Sequence, residues 1–101
     1  MSDHRTILTL EEVAKAIYED ADFDNVELQR LADLSSDFIK RKTGYDFSQD
    51  SPREPLAVEC AMQYVRQIYF GAKGYNKEHD YSLGIVGLID DLQVIANEKL
   101  S

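Results

Sequence analysis

The chain has 101 residues, a formal net charge of −8, and 44% hydrophobic against 30% charged residues. This length and composition predict one globular domain over residues 1–101, and they disfavour both a disordered chain and a two-domain protein. The excess of acidic over basic residues also disfavours a protein that wraps DNA, because non-specific affinity for DNA comes mainly from Lys and Arg.

The first predicted helix runs from about Leu10 to Tyr18. Thr9 precedes it and Glu12 follows three residues later, which is the pattern of a capping box. Apolar residues then recur at i, i+3, i+4 and i+7, and this spacing predicts one buried stripe made of Leu10, Val13, Ala14 and Ile17.

An acidic linker at residues 19–24 separates the first two helices. Its aspartates resemble the start of a calcium-binding loop, in which the sixth and twelfth positions should be Gly and Glu. Those positions hold Asn25 and Leu31. We therefore interpret the segment as a solvated linker that ends in a helix cap, and we expect no metal site in it.

The second helix is predicted from about Asn25 to Thr43. Asp24 can cap its start and Glu27 can complete a second capping box, while Gly44 supplies the left-handed stop. One face carries Leu28, Leu31, Leu34, Ser35 and Phe38, with Ile39 beside it. Three consecutive cations, Lys40, Arg41 and Lys42, occupy the last turn. They either complement the helix dipole or contact a partner, and dipole complementation is the commoner role.

The third helix is predicted to start at Pro52, with Ser51 as its cap and Glu54 closing a capping box. Pro55 would then lie in the first turn, and the helix would end near Phe70. Its wide apolar face predicts a central position against several neighbours. That face consists of Leu56, Ala57, Cys60, Ala61, Tyr64, Val65 and Ile68.

A long connection from Gly71 to about Ser82 follows the third helix. Loops of this length are often functional, and tyrosines in them are as compatible with a protein interface as with an ordinary surface. The candidate contact residues here are Tyr75, Asn76 and Tyr81. A fourth helix is predicted from about Ile85 to Asn97, with Val86, Ile89, Leu92, Ile95 and Ala96 facing one way. The predicted fold class is therefore all-α, a small bundle of about four helices with a long loop between the third and the fourth.

The sequence offers little that resembles an active site. Cys60 is the single cysteine, which excludes an intrachain disulfide and favours a reducing compartment. It lies on an apolar helical face, where a thiol is usually buried and inert. Neither His4 nor His79 is placed beside it by any pattern. We expect no catalytic residues, no cofactor and no bound metal.

The order of these features resembles the head–tail connector family of tailed bacteriophages, also called head completion or adaptor proteins. The resemblance extends from about Leu8 to Ala96. It is carried in turn by Leu8 to Val13, by Phe38 to Tyr45 with its Thr-Gly-Tyr stop, by the proline-led helix from Pro55 to Tyr64, Tyr69 and Phe70, and by Gly87-Leu88-Ile89.

The resemblance implies a structural protein of the virion neck that is made in the cytoplasm of the host bacterium. About a dozen copies would form a ring between the portal protein and the next neck or tail component. The ring would extend the DNA channel, so DNA would only pass through it. No catalysis, cofactor or membrane is implied.

Two other functions remain open on the sequence alone. An acidic helical module could inhibit a nucleic-acid-binding partner, as an antitoxin or anti-repressor does, through the acids between Glu11 and Asp24. A helix-turn-helix DNA-binding protein is the third possibility. It would need a basic recognition helix, whereas the second helix carries Glu27, Asp33 and Asp37 against its basic end.

Overall fold

A computed structural model describes residues 6–18, 24–72 and 82–101. They form four α-helices: α1 (Leu10–Ala16), α2 (Asn25–Thr43), α3 (Pro55–Ala72) and α4 (Ser82–Leu100). A short 3₁₀ turn, Phe47–Gln49, lies between α2 and α3, and the described residues include no strand. The predicted all-α class with four helices is confirmed. The connection between α3 and α4, at residues 73–81, is outside the described residues.

The start of α1 is the predicted capping box. The Thr9 hydroxyl accepts the Glu12 N–H at 3.1 Å, and the Glu12 carboxylate accepts the Thr9 N–H at 2.9 Å. The helix ends at Ala16 with Ile17 as its C-cap, so the predicted end at Tyr18 is wrong. Tyr18 has a φ of 61°, a left-handed conformation that takes the backbone off the helical path.

Helix α2 has the bounds that the sequence predicts. Asp24 accepts hydrogen bonds from the Val26 and Glu27 N–H groups, and Gly44 ends the helix with a φ of 80°. The second half of the predicted capping box is wrong. The Glu27 carboxylate binds the guanidinium of Arg30 instead, at 2.6 and 2.8 Å. A charged partner one turn away forms the stronger bond.

Helix α3 starts three residues later than predicted. It begins at Pro55, and Glu54 caps it: the Glu54 carboxylate accepts the Leu56 N–H at 3.2 Å, and its carbonyl accepts from Ala57 at 3.0 Å. Ser51 and Pro52 are not its cap and first residue. Both prolines suit a first helical position. The helix starts at the second, and Arg53, between the two, donates to the Ile7 carbonyl and to the Glu12 carboxylate.

The core lies around the central pair α2 and α3, each of which packs against α1 and α4. Its largest fully buried side chains are Ile7, Leu8, Val13, Leu28, Leu31, Ile39, Phe47, Cys60, Val65 and Leu92. Phe47, within the α2–α3 connection, is buried and lies edge-on to Tyr45 with ring centroids 4.8 Å apart. The wide apolar face predicted for α3 matches its central position.

Helix α4 is longer than predicted, and one residue of its predicted buried face, Val86, is misplaced. It spans Ser82–Leu100 instead of Ile85 to Asn97. Ile85 is buried, whereas Val86, predicted to face the core, is 58% exposed. Leu92 and Ala96 are buried as expected. Which side of α4 is buried is set by the residues at i, i+3 and i+4 that pack on α3.

Candidate protein interface

A stacked aromatic pair joins α2 to α3 near the surface. The rings of Phe38 and Tyr64 lie 4.0 Å apart between centroids, with 10° between their planes, and both residues are half-buried. The Nζ of Lys42 lies 5.8 Å from the centroid of Phe38, within reach of a cation–π interaction. This pair therefore presents an aromatic edge under a cation at the end of α2.

Two shallow grooves meet at this aromatic pair, and together they are called the aromatic groove. One has a volume of about 290 Å³ and is lined by Leu34, Asp37, Phe38, Arg41, Lys42 and Tyr64. The other has about 160 Å³ and is lined by Phe38, Lys42, Ile85, Val86, Ile89 and Asp90. Both depressions are open to solvent, whereas small-molecule sites bury most of their ligand. The groove suits protruding side chains of another protein better than an enclosed ligand.

The predicted basic contact residues divide between two surfaces. Lys40, Arg41 and Lys42 are all exposed. Arg41 and Lys42 line the aromatic groove, and Arg41 forms an ion pair with Asp37 at 2.6 Å. Lys40 lines a separate depression, whose other lining residues include Asp33, Asp37 and Asp46. The three cations are thus adjacent at the end of α2 but do not form one common site.

The other predicted contact residues, Tyr75, Asn76 and Tyr81, lie outside the described residues, as do His4 and His79. Cys60 is fully buried, and this burial, with a smaller contribution from the charge of Glu59, raises the pKa of its thiol to about 12. At neutral pH the side chain is therefore a packed, protonated thiol.

Exposed apolar residues are the functional signal that the sequence analysis missed. Val26 is 80% exposed, and on α4 Val86, Val94 and Leu100 are 58%, 60% and 59% exposed. Single exposed valines are ordinary, but one that adjoins a groove extends the apolar surface of that groove. Val86 does so directly. An apolar depression between α1 and α2, lined partly by Leu10 and Val26, is the other such place.

The described residues contain no group of three or more His, Cys, Asp and Glu side chains arranged to hold a metal ion. None of the described helices has the length and apolar character needed to cross a membrane. Comparison of the chain with protein-family models, with curated proteins and with solved structures gives no match.

Proposed function

We propose that this protein is a structural subunit of a bacteriophage neck, of the head–tail connector type. About a dozen copies would form a ring between the portal and the next neck or tail component, and duplex DNA would pass through the ring. The observation that carries the proposal is the aromatic groove at the end of α2, an open apolar surface with charges at its rim that suits a protein partner.

The sequence motifs behind the resemblance support the same proposal. The Leu8 to Val13 segment contains the capped start of α1, and the Thr43-Gly44-Tyr45 segment ends α2 in a left-handed turn. A proline opens α3. These are local features of an all-α chain, and their order along about 90% of a short sequence is what gives them weight together.

Electron microscopy of the purified protein, alone and mixed with the portal protein of the same virus, tests this function. We expect weak, concentration-dependent self-association alone and a closed ring on the portal. In a gel-shift titration at about 150 mM salt, binding of the free subunit to duplex DNA should be negligible, because the net charge of −8 opposes it. A protein that remains monomeric at high concentration and does not bind the portal would refute the proposal.

The acidic helical module is the second candidate. Most of the acidic linker expected to make its contact, residues 19–23, lies outside the described residues; the observation that favours this module is the exposed acidic surface of α4, with Asp90, Asp91 and Glu98 in contact with solvent. Such a module would bind a basic partner one-to-one and form no ring. Genes that encode portal and tail proteins beside this one would favour the connector, and a neighbouring toxin or repressor gene would favour the inhibitor.

A further inference from the structure

The last turn of α4 extends beyond the apolar contacts that hold the rest of the helix. Ala96 is the last buried residue of α4, and residues 97–101 are all exposed. Leu100, the one large apolar side chain among them, is 59% exposed. Most helices in proteins are stabilised by the packing of an apolar face. The last turn of α4 lacks that interaction.

Lys99 joins this turn to the connection between α2 and α3. Its ammonium lies 3.4 Å from the Asp50 carboxylate and 5.6 Å from the centroid of the Tyr45 ring, which are the distances of an ion pair and of a cation–π interaction. A cation in the last turn also complements the dipole of α4. Among the described residues, no other side chain of residues 97–101 forms an ion pair, a ring contact or a hydrogen bond with another element.

The attraction between Lys99 and Asp50 is opposed by the burial of the carboxylate. The Asp50 side chain is 13% exposed. One of its oxygens accepts the Tyr45 hydroxyl, whereas the oxygen that faces Lys99 is buried and has no hydrogen-bond partner among the described residues. Such an oxygen has lost hydration that an ion pair replaces only in part. Opening of the last turn returns water to it, so the closed and open arrangements of the turn are close in free energy.

We propose that residues 97–101 are a strap, which Lys99 fastens to Asp50 and Tyr45 and which opens without unfolding of the bundle. The preceding part of α4 stays packed, because Leu92 and Ala96 are fully buried. Opening uncovers the Asp50 carboxylate and one face of the Tyr45 ring, so the α2–α3 connection has two different surfaces in the closed and open states. The strap is a property of the single subunit and does not depend on the proposed function.

Amide hydrogen exchange of the free subunit, followed residue by residue by NMR, tests the strap. Lys99→Met removes the charge and keeps an unbranched side chain, whereas Lys99→Arg keeps the charge. The matched control is Lys15→Met on α1, because the Lys15 ammonium lies 3.9 Å from the Glu11 carboxylate in a pair that is largely exposed. Protection factors are compared, so that the intrinsic exchange rate of each sequence is taken into account.

We expect Lys99→Met to lower the protection of the amides of residues 99–101 by about threefold or more, the effect of losing a partly exposed ion pair. These amides include that of Ser101, which donates to the Asn97 carbonyl at 3.1 Å. The amides of Leu92 and Ala96 should keep their wild-type protection, since they lie in the packed part of the helix. Lys99→Arg should restore the protection of residues 99–101, and Lys15→Met should leave it unchanged.

Two kinds of result would overturn the strap. Unchanged protection of residues 99–101 in Lys99→Met, or an equal loss in Lys99→Arg, would show that the charge of Lys99 does not fasten the last turn. A loss of protection spread equally over α4 and the central helices would show that the contact supports the whole bundle and that no separate strap exists. A loss confined to the last turn and reversed by arginine supports the proposal, whatever the subunit assembles with.

Discussion

The two edges of the bundle, α1 and α4, are attached to the central helices in different ways. At the α1 edge, side chains from distant parts of the sequence bind the backbone. Arg53 donates to the Ile7 carbonyl at 2.9 Å, Arg66 donates to the Ala16 carbonyl at 3.0 Å, and Ser36 accepts the Ile7 N–H at 2.7 Å. Such bonds satisfy backbone groups that would otherwise have to remain hydrated.

The α4 edge depends mainly on apolar packing. Ile85, Leu92 and Ala96 are buried against the rest of the core. Near its end, the Lys99 ammonium lies 3.4 Å from the Asp50 carboxylate, whose other oxygen accepts a hydrogen bond from Tyr45. The ion-paired oxygen has no hydrogen-bond partner among the described residues. The hydrogen bond that Tyr45 donates to Asp50 raises the pKa of Tyr45 above its ordinary value.

The two edges of the bundle therefore differ in the interactions that attach them to the central helices. The α1 edge has its ends tied by polar contacts and buries Val13, Ala14 and Ala16, while Leu10 lines the apolar depression that α1 forms with α2. The α4 edge buries one side and leaves valines on the other. A helix that is anchored but incompletely covered is the element expected to accept a neighbour. The experiments below weaken or alter the two edges and the centre between them.

The largest effect should come from the centre, at Leu31. This side chain is fully buried in α2, so Leu31→Ala should lower the free energy of unfolding by roughly 2–5 kcal/mol through lost burial and a residual cavity. Leu34→Ala, three residues on and 37% exposed, is the matched control and should cost less than about 1 kcal/mol. Urea denaturation measures both. Equal losses would mean that α2 is rotated from the orientation described.

The next effect tests the left-handed turn that ends α2. Gly44 has a φ of 80°, and a Cβ there would meet nothing within 4 Å. Gly44→Ala should therefore destabilise by about 1–2 kcal/mol through backbone strain alone. Gly44→Asn should cost less, because Asn tolerates this conformation better. Thermal unfolding of the two variants provides the measurement, and an alanine variant as stable as the wild type would rule out the left-handed stop.

A feature of this fold could be predicted from the sequence when the residues that determine it lie close together in the chain. The cap of α1 and both ends of α2 follow from residues a few positions apart, such as Thr9 with Glu12, and they were found. The choice between Pro52 and Pro55 was not, because both prolines fit a first helical position, and Arg53 between them binds Glu12 across 41 positions. No local pattern contains that contact.

The candidate interface shows the same limit. Phe38 and Tyr64 were each placed on an apolar helical face, but their stacking requires the packing of α2 on α3. The direction of Val86 was mistaken because α4 is apolar around much of its circumference, so periodicity alone does not fix which side is buried. The cations at the end of α2 were found, although their division between two surfaces follows from the surrounding side chains.

A smaller effect should come from breaking the α1 edge at Glu12. Its carboxylate binds the Arg53 guanidinium at 2.6 and 3.0 Å, and this bond holds the pKa of Glu12 below its ordinary value of 4.5. A carboxyl whose pKa is lowered by folding contributes stability above its unfolded pKa and loses it as the pH falls through the folded value. Both partners are partly exposed, so Glu12→Gln should cost about 1 kcal/mol at neutral pH.

Urea denaturation of the wild type and Glu12→Gln at about pH 7 and about pH 3 measures this contribution. The difference between the two proteins should shrink at the lower pH, because below the ordinary carboxyl pKa of 4.5 the unfolded chain takes up a proton at Glu12 and is favoured by it. Glu11→Gln is the control: the Glu11 carboxylate lies 3.9 Å from Lys15 with both side chains more than 70% exposed, and the change should cost a few tenths of a kcal/mol at most. A pH-independent difference for Glu12 would contradict a charge-based role.

The smallest effect, and the one of opposite sign, should come from Gly87 on the exposed side of α4. The residue is helical and exposed, and a Cβ there would meet nothing within 4 Å. Gly87→Ala should therefore stabilise the isolated subunit by about 0.5–1 kcal/mol, because alanine loses less backbone entropy than glycine in a helix. Gly44→Ala is the natural counterpart, since its Cβ site is equally open but its φ is positive. If Gly87→Ala raises the thermal midpoint of dilute protein yet weakens self-association, the small residue is retained for close approach of a neighbour. If it destabilises the dilute protein, Gly87 does not lie on the exposed side of a regular α4 helix as described.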